Sequence, residues 1–174
     1  MKALQALGAL EEAAHSGLER IAGRGAIRRD AEAGLEALEE AFHGLARSLV
    51  RGAKPGRSVL EEVGEAAARV AVFLSGFVAG DGGSPARILE VLFAVAEERV
   101  TEAGKVHGES WRRESELFAF HKVLSHLARL VVVRPSLSGE LGELYRINGA
   151  DLLVYLAFHA ARAEDHEMTS GDER

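Results

Sequence analysis

Apolar residues recur at helical spacing through almost the whole chain, and no stretch alternates between two faces as a half-buried strand would. Leu4, Leu7, Ala14, Leu18 and Ile21 mark one face of a first helix over about 2–22. Gly23-Arg24-Gly25 closes it, glycine being the residue that best accepts a left-handed helix end. Ala31, Leu35, Leu38, Phe42, Leu45 and Leu49 repeat at intervals of four and three, which predicts a second helix over about 26–51. That spacing is the seam of an antiparallel bundle or coiled coil. Pro55-Gly56 marks the turn that follows. Ser58, with Glu61 three residues on, is a capping box opening a third helix. Its stripe is Leu60, Val63, Ala67, Val70, Leu74 and Phe77, and Gly80-Asp81-Gly82-Gly83 breaks it. Ser84-Pro85 starts a fourth helix, whose core face of Ile88, Val91, Leu92, Val95 and Val100 carries to about Ala103. A fifth runs over about 110–133 on Leu117, Phe120, Leu124, Leu127 and Val131, and Arg134-Pro135 stops it.

The last helix, Glu140–Ala163 with Ser138 as its cap, is the most apolar. Leu141, Leu144, Leu152, Tyr155 and Leu156 share a face, and Leu153, Val154 and Phe158 widen it past one stripe. A helix apolar over so much of its circumference sits centrally in a bundle. Asn148-Gly149 predicts a kink or a split within it. The expected fold is therefore all-α, an antiparallel bundle of five to six helices. Residues 1–163 form one domain, and 164–174, acidic and without an apolar face, are expected to be a disordered tail.

Composition narrows the chemistry. A chain of 174 residues is long enough to bury a sizeable core, and 47% hydrophobic with 28% charged residues is the balance of a globular protein. No apolar run reaches the roughly 18–20 residues that span a bilayer. Acids enter the first helix soon after Met1-Lys2, and no small-residue cleavage site follows, so no signal peptide is expected and the cytoplasm is the default location. The absence of cysteine removes disulfides, thiol nucleophiles and thiolate metal sites.

The formal charge of −6 is segregated. No acid lies between Glu40 and Glu61, where Arg47, Arg51, Lys54 and Arg57 fall. None lies between Glu116 and Glu140, where Lys122, Arg129 and Arg134 fall with His121 and His126. Arg47 and Arg51, four apart, share a helical face that continues into the Lys54/Arg57 loop. Such a strip can follow a phosphate backbone and gain from counterion release. Cations also favour helix C-termini for purely structural reasons, and both readings stand at this point.

Glu61-Glu62-x-Gly64-Glu65 resembles the EE-x-GE motif of the all-α MazG-type nucleotide pyrophosphohydrolases. That resemblance implies magnesium on Glu61, Glu62 and Glu65, with Asp151 as the available partner acid. Asn148 stands where a further acid is needed one turn before Asp151, and Glu90 and Glu97 have no aspartate at the family's spacing. The structural alternative has Glu61 capping its helix and Glu65 pairing with Arg69 at i,i+4. None of the seven histidines forms an HxxxH or HExxH pair. Trp111, beside Arg112 and Arg113, either stacks a base or anchors a helix start.

Tyr145-Arg146, Leu153, Leu156, Phe158 and Ala163-Glu164 resemble the closing segment of the small helical subunit of the type III-B CRISPR (Cmr) effector complex. Ala71-Val72-Phe73-Leu74 is similar to that family's central LAFL run, and Arg29-Asp30-Ala31 to its opening helix. Glu65-Ala66-Ala67-Ala68 stands where the family has Asn-Gly-Leu-Gly. The resemblance implies a non-catalytic subunit without a cofactor, stacking along a ribonucleoprotein filament and helping hold target RNA. Its partners would be RNA, other effector subunits and further copies of itself. Arg47, Arg51, Lys54, Arg57, Lys122, Arg129 and Arg134 are the RNA-contact candidates, chosen by charge placement. A magnesium-dependent pyrophosphohydrolase and a homodimeric helical interaction protein are the alternatives.

Overall fold

The computed structural model describes residues 2–51, 53–78, 80, 83–107, 110–113, 116–132 and 141–171, with the side chains of 49–51, 107, 112, 116–117, 132 and 164–171 outside the description. Among these residues there are six α-helices, one 3-10 helix and no strand. The α-helices are α1 (Ala3–Gly23), α2 (Ala31–Arg51), α3 (Val59–Ser75), α4 (Pro85–His107), α5 (Glu116–Val132) and α6 (Glu143–Gly171). The 3-10 turn, Ser110–Arg113, precedes α5, so the single fifth helix expected from the sequence is two elements. The expected cap Ser138, Pro135 and Glu140 lie outside the described residues.

Helix starts follow the side-chain chemistry. Asp30 Oδ1 accepts from the Ala33 amide at 2.9 Å and moves the start of α2 to Ala31, later than the hydrophobic pattern placed it. The Ser58–Glu61 capping box is complete. The Glu61 amide donates to Ser58 Oγ at 3.1 Å, and Glu61 Oε2 accepts from the Ser58 amide at 2.7 Å. Ser84 Oγ accepts from the Arg87 amide at 3.3 Å to open α4.

Helices α1, α3, α4 and α6 each pack against the other three, and α2 and α5 flank them on α3 and α6. The core between them holds Leu10, Leu74, Ile88, Leu89, Leu92, Leu152, Leu153 and Leu156, all fully buried. The central position expected for the last helix is observed, and α3 shares it. From Glu62 to Ser75 every residue of α3 except Arg69 is buried. Its small Ala66-Ala67-Ala68 segment lets neighbours close in on several sides, a feature that a stripe of large residues does not reveal.

Several readings from the sequence change, and Leu4 and Val131, expected on apolar faces, are exposed. Leu144 is 59% exposed and does not share the buried face of α6. Leu35 and Phe42 are 53% and 44% exposed, so only part of the α2 seam is core. Gly149 does not split α6, which runs unbroken through it. A Cβ there would come 2.8 Å from a Leu92 methyl, so this glycine allows α4 to approach α6. The helical backbone also continues past Ala163 to Gly171, so Ala163 is not a helix end.

Candidate nucleic-acid interface

The contact between α1 and α3 sets the geometry of the site. A Cβ on Gly64 would stand 2.6 Å from the Ala13 backbone, and one on Gly17 would stand 2.9 Å from Glu65 Cα. Both helices can approach so closely because these positions carry no side chain. Arg20 and Arg24, one and two turns beyond Gly17, are thereby brought over Glu65 on α3.

Glu65 is the centre of a cation cluster, its side chain only 11% exposed. Arg57 Nη1 lies 2.8 Å from Oε2. Arg69 Nη2 and Arg24 Nη1 donate to Oε1 at 3.0 and 3.4 Å, and Arg20 Nε approaches Oε2 at 4.0 Å. Arg69 is shared with Glu40 of α2. Burial pushes the Glu65 carboxyl up, and the hydrogen bonds and charges of Arg69 and Arg57 outweigh it, holding the group below its usual 4.5.

Glu62, one turn earlier, makes the second anchor. Its Oε1 accepts from Arg47 Nη2 at 2.9 Å and from the Lys54 amide at 2.8 Å. Glu62 Oε2 is buried without a hydrogen-bond partner among the described residues. These contacts fold the end of α2 and the following loop back onto α3.

Between α1, α2, α3 and the loop lies an open cavity of about 430 Å³. Arg24, Arg47, Lys54, Arg57 and Arg69 line it, against Glu40, Glu62 and Glu65. Five cations face three carboxylates, a surplus of two positive charges in a concave site. The carboxylates hold the guanidinium groups in place and leave N–H donors for an outside anion.

Of the candidates read from the sequence, Arg47, Lys54 and Arg57 meet in this cavity. The Arg51 side chain and Arg134 lie outside the described residues. Lys122 and Arg129 are on α5, which packs on α6, so they belong to a separate flank from α2 and α3. Lys122 Nζ lies over the Phe118 ring, 5.1 Å from its centre. Arg20, Arg24 and Glu40 have no place in the sequence reading, because pairing across helices leaves no mark along one helix, whereas Arg69 was expected as the i,i+4 partner of Glu65.

Of the acids in the magnesium reading, Glu62 and Glu65 line one cavity, and neither Glu61 nor Asp151 joins them there. Glu61 is spent on the capping box, and Glu62 and Glu65 on arginines. Asp151 lines a different cavity of about 530 Å³ and binds Arg99 through both carboxylate oxygens, Nη2 to Oδ2 at 3.0 Å, tying α6 to α4. Among the described residues no three His, Cys, Asp or Glu side chains are grouped to hold a metal ion. Asn148 donates to the Leu144 carbonyl and faces His126 Nδ1 at 3.3 Å. Trp111 is 6% exposed and stacks on Phe158 at 4.3 Å between ring centres, so it anchors the 3-10 turn instead of presenting a face to a base.

The fold and site define an all-α bundle with a glutamate-centred arginine cradle on one flank, and no helix among the described residues is long and apolar enough to cross a membrane. The chain matches no family model, no curated protein and no solved structure.

Proposed function

We propose that this chain is a non-catalytic helical subunit that holds RNA phosphates in the cavity between α1, α2 and α3. One observation carries the reading: three helices and one loop deliver five cations to a single concave site that holds three carboxylates. A surplus of fixed guanidinium groups recognises phosphate in bidentate fashion and exchanges its counterions for the ligand. The resemblance of Tyr145–Glu164 to the Cmr small subunit supplies the finer part of the proposal: a cytoplasmic type III-B CRISPR effector, with copies stacked along its filament beside other subunits.

The test is fluorescence anisotropy of a labelled single-stranded RNA over a salt series. The expected logarithmic slope is about −1.5 to −2, as for two or three neutralised phosphates. Arg47→Ala with Arg57→Ala should weaken binding at least about tenfold, while Lys122→Ala with Arg129→Ala should change it less. Salt-independent binding, or an unaltered affinity in the Arg47/Arg57 double variant, overturns the reading.

A further inference from the structure

The other cavity, about 530 Å³ among α4, α5, α6 and the 3-10 turn, has a different chemistry from the cradle. Its volume falls in the range of small-molecule pockets, about 300–1,000 Å³. Trp111, Tyr155 and Phe158, with Val100 and Val154, give it apolar walls. Trp111 stacks on Phe158 with 8° between the planes, Tyr155 meets Phe158 edge-on at 6.3 Å, and His126 stacks on Tyr155. These rings hold one another in place, so the walls are set before a ligand enters. Glu98, Glu102 and Asp151 line the cavity against Arg99 alone, a balance that disfavours an anion. Asp151 spends both oxygens on Arg99, and Glu102 pairs with Lys105.

His126 supplies the remaining polar atom. Asn148 Nδ2 donates to the Leu144 carbonyl at 2.7 Å, which leaves Oδ1 facing His126 Nδ1 at 3.3 Å. An amide oxygen only accepts, so Nδ1 carries the ring proton and Nε2 carries a free lone pair. Burial holds the ring's pKa below its usual 6.5, and the imidazole is neutral at pH 7. Nε2 has no hydrogen bond to the described residues, and it is not one of the polar atoms sealed from solvent without a partner. It is therefore an accessible acceptor on a side chain that lines an aromatic cavity.

We infer that this cavity binds a small uncharged aromatic molecule carrying an O–H or N–H donor, as a phenol or an indole does, with the ring against the aromatic walls and the donor on His126 Nε2. The site is independent of the cradle, which is lined by none of the same residues. A polar group placed in a mostly apolar pocket fixes the ligand's orientation, and a fixed tautomer selects donors over acceptors.

The test uses p-cresol and its methyl ether, which share a ring and differ in the donor. Trp111 is the sole tryptophan and lines the cavity, so its fluorescence reports binding in the full chain. The unaltered protein should bind p-cresol about three- to tenfold more tightly than the ether, the worth of one hydrogen bond between neutral groups. Nitrogen–proton correlation spectra of the imidazoles should show His126 protonated at Nδ1, with its Nε2 signal moving as p-cresol is added. In His126→Phe the two affinities should converge, with circular dichroism confirming the helical fold. The ether arm and the imidazole spectra decide the point on the unaltered protein should that variant not fold. Equal affinity for the two probes, or binding that leaves His126 Nε2 unmoved, overturns the donor assignment. No saturable binding of either probe overturns the site altogether.

Discussion

Arg57 Nη1 stands 2.8 Å from Glu65 Oε2, so the loop after α2 is closed onto α3 by a charge pair at the centre of the cation cradle. Glu65 also takes Arg69 and Arg24, and removing its charge would leave the neighbouring guanidiniums repelling one another. Glu65→Gln is expected to cost about 2 kcal/mol, below the full value for a buried pair because the arginines reach solvent. Urea unfolding at neutral pH measures it. The carboxyl is held below its usual 4.5, so the unfolded chain takes up the proton first. Its stabilisation is complete above 4.5 and is lost as pH falls through the lower folded value. The variant's unfolding midpoint should therefore vary less with pH in that acidic window.

Gly64→Ala should be strongly destabilising, because the new methyl would meet the Ala13 backbone at 2.6 Å. Overpacking of this kind costs about 2 kcal/mol, or a fall in Tm of about 4–8 °C. Gly104→Ala is the control: it is exposed in α4 and a Cβ there meets nothing within 4 Å. That change should stabilise by about 0.5–1 kcal/mol through helix propensity alone. Thermal melts of both variants give the comparison, and equal losses would contradict the close α1–α3 crossing.

His126 is buried on α5, stacked on Tyr155 at 5.7 Å between ring centres. Burial lowers its pKa from the usual 6.5, and the Asn148 hydrogen bond and Asp151 charge only partly oppose that. Below 6.5 the unfolded chain binds a proton that the folded histidine resists. The native state is therefore favoured most above 6.5 and loses stability as pH falls from there toward the folded pKa. Urea midpoints at about pH 7.5 and pH 5.5 should differ less in His126→Gln than in the wild type.

Arg99 and Asp151 join α4 to α6 with side chains 44% and 19% exposed. A double-mutant cycle of Arg99→Ala and Asp151→Ala should return a coupling of about 0.5–1 kcal/mol. Magnesium should leave Tm unchanged, since Asp151 is committed to Arg99 and lines a different cavity from Glu62 and Glu65. A rise in Tm with magnesium that Asp151→Ala abolishes would restore the metal reading.

Periodicity and capping were enough to set the class of fold. The 3.6-residue repeat of apolar positions, Ser58 with Glu61, and Ser84-Pro85 are local signals, and local signals survive in a linear sequence. The Glu65–Arg69 pair was legible for the same reason, being one helical turn long. Tertiary structure alone decided the rest. Arg24 and Glu65 are 41 residues apart, and only the glycine-mediated approach of α1 to α3 makes them neighbours. Burial of α3 nearly all round followed from its small residues, which do not read as a stripe of large apolar side chains along the chain. Charge placement along the chain identified Arg47, Lys54 and Arg57, but packing turned them from an expected strip into a cavity, because Glu62 and Glu65 draw the loop inward.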